Sequence, residues 1–155
     1  MTAGESLLVD TNVLLAATDR SRIEHARAQQ LFGRCRSAGL HPTWCGQVMR
    51  EYLVVATRPI AANGLGLSLT DALENVVRFR RHMVLLDETE QVALTLLKLV
   101  RDPETTGKRV HDANLAAVAL THGVPAIVTL DAGGFAAYRG VKMLNLDQLW
   151  AETIA

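Results

Sequence analysis

The sequence predicts an α/β fold of three layers, α/β/α, built on a short, mostly parallel sheet of four or five strands flanked by helices. Two observations carry this. Short apolar runs alternate along the chain with stretches of helical periodicity, the order that crossover connections between parallel strands produce. Alanine, valine and leucine dominate while aromatics make up 5%, which suits helices packed on a small sheet.

The elements follow in order. Ser6–Val9 is an apolar run that stops at Asp10 and reads as a buried strand. Residues 11–18 are helical in pattern. Residues 23–37 carry Ala28, Leu31, Phe32 and Cys35 at the spacing of one helix face, and Gly39 follows as a stop. A third helix is expected from Thr43 to about Thr57, broken by Pro59. Residues 61–68 read as a loop, and Thr70 or Asp71 caps a helix reaching about Arg81. Residues 83–86 form a second strand and 89–100 a leucine-rich helix whose Leu94, Leu97 and Val100 are expected in the core. A polar loop at 102–108 precedes a helix at 111–122 that is apolar all round and therefore buried. Strands at 126–130 and 141–145 and a final helix capped by Asp147 complete the chain.

A length of 155 residues suits one domain, 1–155. Such a domain buries roughly 70% of its unfolded surface and needs no disulfide to fold. Cys35 and Cys45 read as a reduced pair; with His41 between them they match no usual zinc spacing. No basic segment leads into a long apolar run, and no stretch of about 18 apolar residues exists, so a cytoplasmic protein with no membrane contact is expected. The formal net charge is zero, which argues against a protein that grips nucleic acid by global charge. Local basic residues remain: Lys108 and Arg109, and similarly Arg20 and Arg22, are candidates for phosphate contacts. Trp44 and Tyr52 are expected to pack in the interior rather than stack on bases.

The chemistry lies in the acids. Asp10 ends the first strand and Asp131 follows the third. Ligands of open parallel sheets bind beyond the carboxyl ends of the strands, so topology alone puts both on the functional edge. Asp112 opens the buried helix and joins them if that helix starts at the same edge. Glu51 lies mid-helix with Val48 and Val55 on its face, where a glutamate needs a partner. Carboxylates gathered in one pocket repel: two charges about 5 Å apart cost about 3 kcal/mol at an effective dielectric near 20. Mg2+ or Mn2+, which take oxygen ligands, relieve that repulsion and activate water against a phosphodiester.

Four segments make the sequence resemble the PIN-domain family, and within it the VapC-like toxins of toxin–antitoxin pairs. They are LLVDTNVLL (7–15), the helix around Arg50-Glu51-Tyr52-Leu53, VHDANLAAVALTHG (110–123) and IVTLDAGGF (127–135). The resemblance implies that Asp10, Glu51, Asp112 and Asp131 form an acidic Mg2+ or Mn2+ site. It implies that Asn12 hydrogen-bonds within the site, that Thr11 fixes the turn or a water, and that the Thr129 hydroxyl orients the last acid. Asn114 supports the site from two residues beyond Asp112. Many relatives carry a polar residue where this chain has Leu130. The implied activity is an endoribonuclease, the toxin of a VapBC-type pair, with RNA as substrate, a VapB-like antitoxin as partner and a homodimer as assembly. The groove between the 23–37 and 43–57 helices is the expected docking place for the antitoxin.

Each acid also has a structural reading: Asp10 and Asp112 as helix N-caps, Asp131 as a turn residue before two glycines, Glu51 paired with Arg50 or Arg58. His111, beside Asp112, is expected to point away from the site. Two other activities compete with the nuclease. One is a PIN-fold RNA-binding or RNA-processing protein without a toxin role. The other is a haloacid dehalogenase-type phosphatase, which needs a second aspartate where this chain has Asn12.

Overall fold

In the computed structural model, residues 1–101, 105–133 and 138–154 are described. Part of the loop expected at 102–108, and Gly134 and Phe135 of the last motif, lie outside them. Among the described residues, five strands form one sheet: β1 (Ser6–Val9), β2 (His41–Cys45), β3 (Val84–Leu86), β4 (Ala126–Val128) and β5 (Lys142–Leu144). Their order is β3-β2-β1-β4-β5 and every pairing is parallel. The helices are α1 (Thr11–Thr18), α2 (His25–Ala38), α3 (Gly46–Thr57), α4 (Leu69–Arg80), α5 (Glu90–Leu99), α6 (Arg109–Thr121) and α7 (Leu146–Ile154). No helix is long and apolar enough to cross a membrane among the described residues.

The centre of the sheet is covered on both faces. Successive side chains of a strand point to opposite faces, yet Leu7, Leu8 and Val9 of β1 are all fully buried. Helices must therefore lie on each side, which is the three-layer arrangement. On one flank α1 packs against α2 and α3, and α3 against α4; elsewhere α5 packs against α6.

Three expectations change. The segment at 43–45 is strand rather than helix. His-Pro-Thr-Trp-Cys enters the sheet between β1 and β3, with Leu7 opposite Pro42 and Cys45 opposite Leu86. The Thr43 hydroxyl adds a bond of 2.9 Å to the Leu7 carbonyl. The leucine-rich helix keeps Val92 inside, but Leu94 and Leu97 are 46% and 60% exposed. Finally, α6 starts at Arg109, so Asp112 lies inside its first turn rather than at its cap.

Other boundaries move by local capping. Ser68, not Thr70 or Asp71, caps α4: its Oγ accepts from the Asp71 N–H and donates to the Asp71 carboxylate. Asn145 and Gln148 cap the start of α7 reciprocally, while Asp147 pairs with Arg27. Gly39 ends α2 at φ 68°, a left-handed conformation that favours glycine. Cys35 and Cys45 are free and buried, and Trp44 and Tyr52 are fully enclosed.

Candidate active site

The strand order changes direction at β1. Strand β2 lies on one side of it and β4 on the other, which makes the β1/β4 carboxyl end the point where an open α/β sheet leaves a crevice. Asp10 leaves β1 there, and its N–H donates to the Val128 carbonyl at the end of β4 (2.9 Å). Asp131 follows three residues later. The crevice opens into a cleft of about 1030 Å3. Asp10, Glu51, Asp112 and Asp131 all line it, with Thr11, Asn12, Asn114 and the rim cations Arg50, Arg58 and Lys108.

Asp10 is held on both oxygens. Its Oδ1 accepts from the Thr11 N–H (2.6 Å), so it caps α1, and its Oδ2 accepts from the Thr129 hydroxyl (2.7 Å). Thr129 in turn accepts from Asn12 Nδ2 (2.8 Å) and the Asp131 N–H (3.2 Å). Asn12 Oδ1 accepts from the Leu130 N–H (3.0 Å). Thr129 thus bonds the side chain of the first acid and the backbone of the last. Leu130 still contributes polar geometry, through its backbone.

Glu51 reaches the same cleft from α3. Its Oε2 accepts from the Thr11 hydroxyl (3.0 Å) and its Oε1 from Gln47 Nε2 (2.8 Å). His111 Nδ1 stands 3.3 Å from Oε1, so His111 faces the cleft rather than pointing away. The α6 turn explains this: the helix starts early enough to put both His111 and Asp112 on the cleft side. Neither arginine suggested for Glu51 takes that role, since Arg50 pairs with Glu88 at 3.1 Å.

Burial pushes the Asp10 carboxyl up to about 6; the bonds from Thr129 and Thr11 oppose the rise, and the charges of Glu51 and Asp112 add to it. Asp112 is also raised by burial; Lys108 pulls it back, Asp131 and Glu51 push it up, and His111 opposes them. Mutual repulsion therefore links all four acids. Lys108 Nζ lies 3.8 Å from Asp131, and both are exposed. Arg20 and Arg22 do not line the cleft; Arg22 pairs with Asp19. Among the described residues, no three His, Cys, Asp or Glu side chains form a ready-made ligand cluster; the acids ring the cleft instead.

Two residues escaped sequence reasoning. Gln47 is 5% exposed and joins Glu51 to α6. Glu88 accepts from the Gln47 N–H (2.9 Å) and so caps α3, whose Cys45 offers no side-chain cap. Glu88 acts across elements far apart in sequence, and although Gln47 stands four residues before Glu51 on the same helix, its tie to α6 has no signal in the spacing.

The groove expected between α2 and α3 has a different lining. Because α1 packs against both helices, the cavity on that side, about 530 Å3, is walled by α1, α2 and α4 through residues such as Thr18, His25, Phe32, Asn75 and Phe79.

The family model described as PIN domain matches residues 7–141. No curated protein matches the chain. Among solved structures, DNA-bound VapBC from Salmonella typhimurium is similar at a TM-score of 0.67 and 18% identity, covering 92% of this chain and 98% of that one. VapBC2 from Rickettsia felis bound to a DNA fragment from its promoter is similar at 0.67 and 12% identity, covering 90% and 98%. The Mycobacterium tuberculosis VapC20 toxin, described as cleaving the Sarcin-Ricin loop, is similar at 0.64 and 16% identity, covering 84% and 96%.

Proposed function

The chain belongs to the PIN domain family, and on that premise we propose that it is a divalent-metal-dependent endoribonuclease, the toxin of a VapBC-type toxin–antitoxin pair. The observation that carries this is the convergence of Asp10, Glu51, Asp112 and Asp131 on one cleft at the carboxyl edge of a parallel sheet. The described neighbours, a loop-cleaving toxin and VapBC complexes, support the same reading. A phosphatase of the haloacid dehalogenase type has no support: Asn12 is bonded to Thr129 and Leu130 and stands where that chemistry needs an acid.

The donors fit Mg2+ or Mn2+. They are carboxylate oxygens, and burial with mutual repulsion raises Asp10 and Asp112 from their ordinary values. The four acids would hold the cation. When bound, it polarises the phosphodiester and lowers the pKa of water. The chain's own residues hold the geometry for that. Thr129 and the Thr11 N–H orient Asp10; the Thr11 hydroxyl and Gln47 orient Glu51. Arg50, Arg58 and Lys108 stand on the rim, where they meet RNA phosphates. A neutral chain must rely on such local cations. The antitoxin is a VapB-like protein, and the exposed Leu94 and Leu97 of α5 offer apolar surface to a second copy of the chain. The site of action is the cytoplasm.

The test is inducible expression of the wild type beside Asp10→Asn, with mapping of new RNA 5′ ends. Growth arrest and new ends in the wild type alone are expected. New ends in both strains would detach cleavage from this cleft. Cleavage without arrest would favour RNA processing over a toxin role.

A further inference from the structure

The side chain of Gln47 has no part in holding metal or RNA in the reading above, yet it is one of the most constrained polar groups in the cleft. It sits one helical turn before Glu51 and is 5% exposed. Its Nε2 donates to Glu51 Oε1 (2.8 Å) and to the His111 carbonyl (3.1 Å), and its Oε1 accepts from Asn114 Nδ2 (2.7 Å). Three of the four hydrogen bonds an amide can make are therefore formed. A buried amide is stable only when paired in this way.

The orientation of the group follows from its partners. A carboxylate accepts and cannot donate, so the Glu51 side needs the amide nitrogen, and the Asn114 donor then needs the oxygen. The Glu51 carboxylate and the His111 carbonyl thus fix which way the Gln47 amide faces, Asn114 meets its oxygen, and Gln47 in turn holds Glu51. The bridge ends on α6 through both Asn114 and His111, which flank Asp112. Thr11 donates to Glu51 Oε2 and Gln47 to Oε1, with His111 Nδ1 also 3.3 Å from Oε1, which sets the plane of the carboxylate. The start of α3 is pinned as well, because Glu88 accepts from the Gln47 N–H.

We propose that Gln47 is a positioning residue that couples Glu51 on α3 to Asp112 on α6, so that both carboxylates meet one divalent cation. This rests on the reading of the cleft as a metal-dependent nuclease. Outer partners of this kind change metal affinity or activity by about 10–100-fold when removed.

The experiment compares the wild type, Gln47→Met, Glu51→Gln and the double variant. Manganese affinity is measured by calorimetry, cleavage of a single-stranded RNA gives kcat and KM, and thermal unfolding is followed in chelator. Gln47→Met is expected to weaken manganese binding about tenfold and to lower kcat with little change in KM. In the Glu51→Gln background the same substitution is expected to leave manganese affinity unchanged, since Gln47 acts through Glu51. Wild-type affinity and kcat in Gln47→Met would overturn the proposal. So would an equal loss in the Glu51→Gln background, which would mark a merely structural role. Should Gln47→Met not fold, Asn114→Ala, which removes the donor to Gln47 Oε1 and with it one of the two anchors of the bridge on α6, is expected to show the same losses in smaller measure, and wild-type behaviour there overturns the proposal. A wild type that neither binds manganese nor cleaves RNA overturns the nuclease reading itself. A wild type that does both beside an unaffected Gln47→Met overturns only the positioning role.

Discussion

The Thr129 hydroxyl donates to Asp10 Oδ2 over 2.7 Å, joining the ends of β4 and β1 across 119 positions of sequence. The same oxygen accepts from Asn12 and from the Asp131 N–H. One buried hydroxyl therefore ties two acids and two strands together. Thr129→Val keeps the shape and removes all three bonds. Leaving buried partners unsatisfied costs about 1–3 kcal/mol, so in chelator Thr129→Val is expected to be less stable by that amount and to unfold at lower denaturant. Its manganese requirement for cleavage is expected to rise. Urea titrations in chelator and a manganese dose–response check both.

Asp10 gives the metal-free protein a pH dependence of definite sign. Its folded pKa, about 6, lies above the ordinary 3.8, so the folded state binds the proton more tightly than the unfolded chain. Stability from this group is fully present below about 3.8 and is lost as pH rises through about 6. The shift corresponds to about 3 kcal/mol. Unfolding measured in chelator at pH 4 to 7, wild type against Asp10→Asn, is expected to show the larger loss in the wild type, since Asp112, raised in the same sense, contributes to both. Added manganese binds only the folded state and restores stability at the upper end.

Glu88 caps α3 from a distance. Its Oε1 accepts from the Gln47 N–H and its Oε2 from Arg50. Glu88→Ala leaves the helix start without a cap and is expected to cost about 1 kcal/mol. Amide exchange at the first turn of α3 is expected to quicken before that of the sheet.

The exposed leucines of α5 separate surface from core. Measured on the dissociated monomer, Leu97→Gln is expected to shift stability by less than about 0.5 kcal/mol, because Leu97 is 60% exposed in the single chain. Val92→Ala, at a position 2% exposed on the same helix, is expected to cost about 2 kcal/mol. Paired thermal denaturation checks the contrast.

These residues also show what the sequence made legible. The parallel sheet was readable because Leu7–Val9 and Ala126–Val128 are uninterrupted apolar runs, and the first breaks into polarity at Asp10. Four acids were placed on one edge by that logic and by the family resemblance. Strand β2 was not readable, because its boundary with α3 falls between Cys45 and Gly46 with no local cap; the cap is Glu88, over forty residues away. Leu94 and Leu97 were misassigned because a helix rich in leucine on several faces does not announce which face α6 covers. Gln47 was missed, and His111 expected to point away, for a related reason. A polar residue on a helix signals solvent until the neighbouring helix is known, and here α6 supplies the carbonyl, the amide and the turn that bring both to Glu51.

The central claim is that the four acids act together with a divalent cation on RNA. Its most direct measurement is cleavage of a defined single-stranded RNA by purified protein, with manganese, with excess chelator, and with Asp10→Asn in manganese. The account expects specific cleavage in the first condition only, with Asp10→Asn folded yet inactive. Cleavage that persists in chelator, or in Asp10→Asn at the wild-type rate, would contradict it.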